Sequence, residues 1–330
     1  MTMATDAIVR KATNTSSQFS QLIPQLWAPQ LETNLRRRAV LEQSLIVNTD
    51  LLVPNSGDRV FIPALPDIGI ADALTEGTDM ALYTMSNSAY IPLIPTEYGK
   101  QVEITRKALD RIKYDAMAAI MDRLAYSMSI RIESNIGALY NATASASFPT
   151  SKTVFGGGAV TTIPTIYPNG HATGTIVITD TMSASVLSQA VAQMQQYDNV
   201  PFDDGFYYLF MAPDAYQSLI MDQNIRQDLR YAAPGRLLNG EVGALDGVRI
   251  VLTNYVATSA EGSGGTITTN NNLLVAPRWA AIAYKRRPEL VVDPTLYDLG
   301  RRRRFGVTAD FDIELIHPER AIVIKTAKQF

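Results

Sequence analysis

Two histidines, two sets of acids and one run of arginines are the residues of this chain with chemistry to offer. His171 sits in an Asn-Gly loop and His317 in a His-Pro turn, neither within HExxH nor four residues from the other, so their spacing builds no zinc site. Convergence in space is left open, and a structural or solvent-facing role is the simpler expectation. The absence of cysteine removes disulfides, thiolate ligands and cysteine nucleophiles together and fits a chain made in a reducing cytoplasm. No GxSxG elbow anchors a serine triad. The glycines at 156–158 and 262–265 match neither GxGxxG nor the lysine-bearing phosphate loop and read as loop hinges. Asp198, Asp203 and Asp204 around Pro201 miss the spacing of a calcium loop and read as an acidic turn. Asp310, Asp312 and Glu314 share one face of a strand, which points to solvation or to bases on an adjacent molecule. A glycosidase-style carboxylate pair has no motif behind it, although the separation of carboxylates is not written in a sequence. No catalytic residue, cofactor or metal is expected.

The arginine run Arg301, Arg302, Arg303 and Arg304 has three readings: phosphate binding, a solvated turn, or bidentate pairing with carboxylates across an interface. Only Phe305 is adjacent as a stacking aromatic, which weakens the nucleic-acid reading, and the net charge of −3 opposes a chain built to grip polyanions. The interface reading leads because charge is segregated along the chain. Between Asp58 and Gly99, 42 residues carry six acids (Asp58, Asp67, Asp72, Glu76, Asp79, Glu97), one base and no lysine. Between Lys285 and Arg304, seven bases (with Arg286 and Arg287 among them) face three acids.

The elements that must hold these residues follow from periodicity. With 46 % hydrophobic and 18 % charged residues the chain is a folded one, and it has neither an ~18-residue apolar run nor a secretion signal, so a soluble intracellular protein without membrane contact is expected. Residues 1–57 form an arm with too little periodic apolar surface to fold alone. Val60 and Ile62, then Ala89 to Leu93, flank a polar middle and predict an extended hairpin over 58–104, far longer than ordinary connections. Thr105 caps a helix predicted to reach about Tyr140, with Leu109, Ile112, Ala116, Ile120, Leu124, Met128, Ile132 and Ile136 along one stripe. The polar stretch 143–174 reads as a domain crossing. Next come a strand at Gly174–Thr179, a helix at Ser183–Tyr197, a strand at Phe206–Met211, a helix opened by Pro213, a strand at Val248–Thr253 and a flexible loop at Ala257–Asn272. Phe305 to Leu315 alternates strictly between apolar and polar residues, as a strand with one buried face does. Pro288–Asp293 is expected to add a strand, and Ala321–Thr326 to return antiparallel to Phe305–Leu315.

Several segments are similar to the major capsid proteins of tailed bacteriophages, the Hong Kong 97-like fold. Ser56 to Pro63 resembles the ascending strand of that family's extended loop, Leu74-Thr75-Glu76-Gly77 its tip, and Tyr98 to Thr105 the descending strand entering the spine helix. Leu238 to Asn254 resembles the end of the axial domain, and Trp279 to Lys325 the strands of the peripheral domain. The resemblance implies an α+β fold with an arm at 1–57, an extended loop at 58–104, a peripheral domain with spine helix at 105–142 and 277–330, and an axial domain at 143–276. It implies a virion protein, assembled in the bacterial cytoplasm into hexamers and pentamers of an icosahedral head. Its partners would be itself, a separate scaffold, portal and decoration proteins, and packaged double-stranded DNA held weakly and nonspecifically. The absence of lysine between Asp58 and Gly99 departs from relatives that crosslink through a lysine of the extended loop. Asp67, Asp72, Glu76 and Asp79 are expected to meet Lys285 to Arg287 and Arg301 to Arg304 of a neighbour. An encapsulin-like nanocompartment and a carboxylate-dependent hydrolase are the rivals.

Overall fold

The computed structural model describes residues 41–48, 59–64, 73–80, 82, 89–111, 116–139, 162–223, 244–292 and 301–329. The arm up to residue 40, Asp67, Asp72 and the glycines at 156–158 lie outside the described residues. In chain order the strands are β1 (Ile46–Asn48), β2 (Val60–Ala64), β3 (Ala89–Leu93), β4 (Thr96–Thr105), β5 (Thr165–Ile166), β6 (Tyr207–Met211), β7 (Ala244–Leu245), β8 (Val248–Leu252), β9 (Ala257–Glu261), β10 (Ile267–Val275), β11 (Ala280–Val292), β12 (Arg302–Leu315) and β13 (Ala321–Ala327). The helices are α1 (Arg106–Arg111), α2 (Ala116–Ala138), α3 (Ala184–Gln196) and α4 (Pro213–Met221). They form a four-stranded sheet ordered β1-β11-β12-β4, a seven-stranded sheet ordered β5-β13-β10-β6-β8-β7 with β9 beside β10, and the separate pair β2-β3. No helix among the described residues is long and apolar enough to cross a membrane.

The four-stranded sheet buries one face against α2. Phe305, Val307, Ala309, Phe311, Ile313 and Leu315 are all buried, as their alternation requires, and pack with Leu124, Met128, Ile132 and Ile136 of the helix stripe. Thr105 accepts the Ala108 amide at 3.3 Å through its hydroxyl, opening α1 as an N-cap does. At 1.5 Å per residue the 23 residues of α2 run about 34 Å. The end of the N-terminal arm is clamped beside it. The Leu41 amide donates to buried Glu133 at 2.8 Å, the Trp279 indole donates to Ser44 at 3.1 Å, the Tyr284 hydroxyl donates to Glu42, and β1 then runs parallel to β11.

The seven-stranded sheet carries α3 and α4. Val186, Leu187, Ala190, Val191 and Met194 are buried on one side of α3 as predicted, and Pro213 occupies the first turn of α4. β7 turns into β8 through Asp246 and Gly247, whose φ angles of +51° and +72° suit a tight hairpin of this kind.

Three expectations fail in this half. Gly174–Thr179 is a run of turns, because the Asp180 carboxylate collects the Val177 amide, Asn169 and His171 and folds the segment around itself. Ala257–Asn272 is the hairpin β9-β10, not a flexible loop. Its polar residues find partners inside: Asn270 donates to Asp214 at 2.6 and 2.8 Å, Asn272 accepts the Ala212 amide and donates to Ile324 and Thr326, and Lys325 meets Glu261 at 2.5 Å. Ala321–Thr326 does not return onto β12. β13 is buried along its whole length and pairs with β10 and β5, so residues 277–330 are shared between the two sheets. The strand expected at Pro288–Asp293 is the far end of β11, which begins at Ala280 and pairs antiparallel with β12.

Candidate functional site

The face of the four-stranded sheet turned away from α2 brings the hairpin and the charged residues together. Ala280, Ile282 and Tyr284 of β11 join the helix-side core, while Ala281 and Ala283 face the other way. Those two methyl groups leave room for a second layer. Val60, Ile62 and Leu93 close over Ala283, and Ile46, Ile62 and Ile91 close over Ala281 and Ile316. β2 and β3 pair from Val60↔Leu93 to Ala64↔Ala89, so a hairpin base forms and rests on its own sheet, but it is shorter than the 58–104 predicted: Thr96–Thr105 is β4, which leaves the hairpin to pair with β12 in the four-stranded sheet. Asp312 ties it down, accepting the Ile94 amide at 2.7 Å and the Ile313 amide at 2.9 Å.

The tip leaves this support. The Thr78 amide and hydroxyl both donate to the Thr75 carbonyl, at 3.2 and 2.8 Å, and close a turn with Gly77 at φ +83°. Around it Leu74, Met80 and Leu82 are 70, 68 and 98 % exposed, beside exposed Glu76 and Asp79. Apolar side chains gathered on an arm in this way mark an interaction surface.

The bases divide. Arg302 and Arg304 donate to the two oxygens of Glu103 at 3.0 and 2.8 Å, because β12 and β4 bring Arg304 opposite Glu103. The Arg304 hydrogen bond, with that of Arg302 behind it, holds the Glu103 carboxyl below its usual range against partial desolvation. Half of the arginine run thus has a carboxylate partner within the chain. Sequence reasoning missed Glu103, whose role depends on a cross-strand register that neither segment carries alone. Arg301 and Arg303 are exposed. Arg286 lies 3.8 Å from Asp310 and 3.9 Å from Glu289, the Arg287 guanidinium stands 5.9 Å from the centre of the Tyr284 ring, and Lys285 is exposed. Exposed ion pairs of this sort contribute little to stability, so they orient more than they bind.

The remaining candidates are structural. His171 meets fully buried Asp180 at 2.6 Å, and His317 meets Glu319 at 3.1 Å. Burial pushes the Asp180 carboxyl up, but the Val177 amide, His171 and Asn169 outweigh it and hold the group below the usual range. Asp204 accepts from Tyr208 and the Phe206 amide and pairs with Arg249 at 3.3 Å, which accounts for one acid of the expected turn. Burial, with the Asp312 charge beside it, pushes the Glu314 carboxyl up. Among the described residues no set of histidines and acids is placed to hold a metal ion.

The chain shares this architecture with solved phage capsids. The capsid protein of Ralstonia phage GP4 superposes with a TM-score of 0.70 at 18 % identity, covering 99 % of both chains. That of cyanophage Pam1 gives 0.71 at 16 % identity, covering 97 % of this chain and 99 % of the other. The acid-stable capsid of Helicobacter pylori bacteriophage KHP30 gives 0.70 at 10 % identity, with the same coverage. At such identities the likeness is one of fold. Among curated proteins there is no sequence match. The family model described as phage capsid protein matches residues 93–324, from the last residue of the hairpin base to the middle of β13. With more than two thirds of its length inside that match, the chain belongs to the phage capsid protein family, as a structural subunit of the phage head.

Proposed function

We propose that copies of this chain associate as hexamers and pentamers into an icosahedral head around double-stranded DNA, with no catalytic role. The observation that carries this is the hairpin: seated at its base on Ala281 and Ala283, it projects Leu74, Met80 and Leu82 where its own subunit gives them little cover. A second copy is the economical cover, since repetition of one interface builds a closed assembly. Glu76 and Asp79 of the tip, with Asp67 and Asp72, meet bases drawn from Lys285 to Arg287 and Arg301 to Arg304 of the neighbour. These charges set register and the apolar tip supplies most of the affinity.

In this assignment α2 and the four-stranded sheet form the peripheral domain, and the seven-stranded sheet with α3 and α4 forms the axial domain. Assembly takes place in the bacterial cytoplasm with a separate scaffold protein, and portal and decoration proteins complete the head. The stretch 58–99 holds no lysine, so this part of the loop makes no lysine crosslink and its contacts are noncovalent. Sedimentation and negative-stain microscopy of the purified protein test the proposal: closed particles are expected, and a 36.2 kDa monomer or a small oligomer overturns it.

A further inference from the structure

A lysine buried inside a sheet is uncommon, and Lys325 of β13 is only 8 % exposed, beside Glu261 of β9 at 4 % and Asn271 of β10 at 0 %. The register of the seven-stranded sheet puts the three together. β13 pairs with one side of β10, where Lys325 lies directly opposite Asn271, and β9 pairs with the other side, from Ile267↔Glu261 to Asn271↔Ala257. Directly opposed residues share a face, with Cβ atoms roughly 4.5–5.5 Å apart. To reach Glu261 at 2.5 Å the Lys325 side chain crosses β10 on the face that carries Asn271 and Thr269. The Asn271 amide lies beside its path.

Two atoms of this cluster are left over. Buried polar atoms are nearly always hydrogen-bonded, yet neither Asn271 Nδ2 nor Glu261 Oε2 has a partner among the described residues. The other oxygen of each group is engaged: the Ser259 hydroxyl lies 3.0 Å from Asn271 Oδ1 and 3.1 Å from Glu261 Oε1, and the Thr269 hydroxyl lies 3.5 Å from Asn271 Oδ1. An amine is thus held on a carboxylate, next to an amide whose oxygen faces hydroxyls and whose nitrogen holds nothing.

We propose that Lys325 and Asn271 join in an isopeptide bond within the chain, with Glu261 carrying the proton. Lys325 Nζ passes a proton to Glu261, and its freed lone pair attacks Asn271 Cγ. The carbonyl electrons move to Oδ1, where the Ser259 hydroxyl meets the developing charge. A second proton from Nζ is relayed through Glu261 to Nδ2, the Cγ–Nδ2 bond breaks, and ammonia leaves as the carbonyl re-forms. An ammonium, a carboxylate and an amide become a new amide, a neutral acid and ammonia, so atoms and charge balance without oxidant or cofactor. Two buried charges and the orphaned nitrogen are removed together. Positioning in the folded sheet replaces the activation that free lysine and asparagine would need. The bond closes a loop that contains β11 and β12, the central strands of the four-stranded sheet. It therefore staples the chain as a disulfide would, in a sequence without cysteine.

The bond forms within one chain, so monomer and particle serve equally as material. Intact mass spectrometry of the purified chain is expected to show the loss of one ammonia from the mass its sequence requires. Asn169-Gly170 and Asn239-Gly240 also lose ammonia when an Asn-Gly pair cyclises, so the loss must map to a branched tryptic peptide that joins Asn271 to Lys325 and is uncut after Lys325. Glu261→Gln keeps the size and one oxygen but takes no proton, and is expected to keep the circular dichroism of the parent with the full, unreacted mass. If that variant does not fold, the mass and digest of the parent still decide. Folded parent at full mass, loss of water in place of ammonia, a loss confined to linear peptides, or a folded Glu261→Gln protein that still carries the branch would each overturn the proposal.

Discussion

Asp312 and Ile94, 218 positions apart in sequence, are joined by a 2.7 Å hydrogen bond from the Ile94 amide to the Asp312 carboxylate. The bond fixes the point where the hairpin leaves its own sheet, immediately after Leu93 packs over Ala283. Losing it frees the exit of the arm without opening the main core. Asp312→Ala is expected to lower stability by about 1.5 kcal/mol, the low end for a bond to a charged acceptor because the site is partly exposed. Hydrogen exchange at Ile94 should accelerate while that of β12 stays slow; unchanged exchange at Ile94 would show that the apolar base alone holds the hairpin.

Buried Glu133 holds the other arm through the amide of fully buried Leu41. Glu133→Ala leaves that amide without its acceptor and should cost about 1–3 kcal/mol in denaturant unfolding. Glu133→Gln retains an oxygen and should cost less. Equal losses from the two would place the effect in packing and not in the hydrogen bond.

The stripe of α2 predicts a larger effect. Ile136 is fully buried among the side chains of the four-stranded sheet, and Ile136→Ala should lower stability by roughly 2–5 kcal/mol through lost burial and the cavity left behind. Exposed Arg123, on the polar side of the same helix, should tolerate alanine within about 0.5 kcal/mol.

Acid stability has an assigned contributor. Folding depresses the Asp180 carboxyl, so the unfolded chain binds more protons than the native one in the window between the two pKa values, and stability there rises with pH. The contribution is complete above about pH 4, the unfolded value, and is lost as pH falls through the lower folded value. Asp180→Asn should flatten the dependence of unfolding free energy on pH below about 4; an unaltered slope would remove Asp180 from the account.

Reversing the charge of the arginine run separates assembly from folding. Arg302→Glu with Arg303→Glu removes one of the two bases on Glu103 and turns an exposed basic strip acidic. The subunit should remain folded by circular dichroism and particle yield should fall, most at low salt, where surface charge is least screened. Normal particle yield would show that the strip faces no acidic neighbour.

How much of this was legible in the sequence varies with the kind of signal. Phe305 to Leu315 and the α3 stripe could be read from periodicity because each element has one wet face and one dry face. Thr105 could be read as a cap because its hydroxyl needs only local geometry. β13 could not be placed, since a strand buried along its whole length carries no alternation to tell which sheet it joins. Thr269 to Asn272 looked like a loop because polar residues are usually wet, yet these are buried among partners from α4, β9 and β13. The acids of the tip were legible as a surface with something to bind, whereas Leu74, Met80 and Leu82 were not, because they sit without periodicity in a stretch that reads as polar and stand out only by their exposure.

Imaging the assembled chain at a resolution that traces the backbone tests the central claim most directly. The expected result is a closed shell in which residues 73–82 of each subunit lie on the outer face of the neighbour's four-stranded sheet. Particles in which that tip folds back onto its own subunit, or a protein that remains in small oligomers, would contradict it.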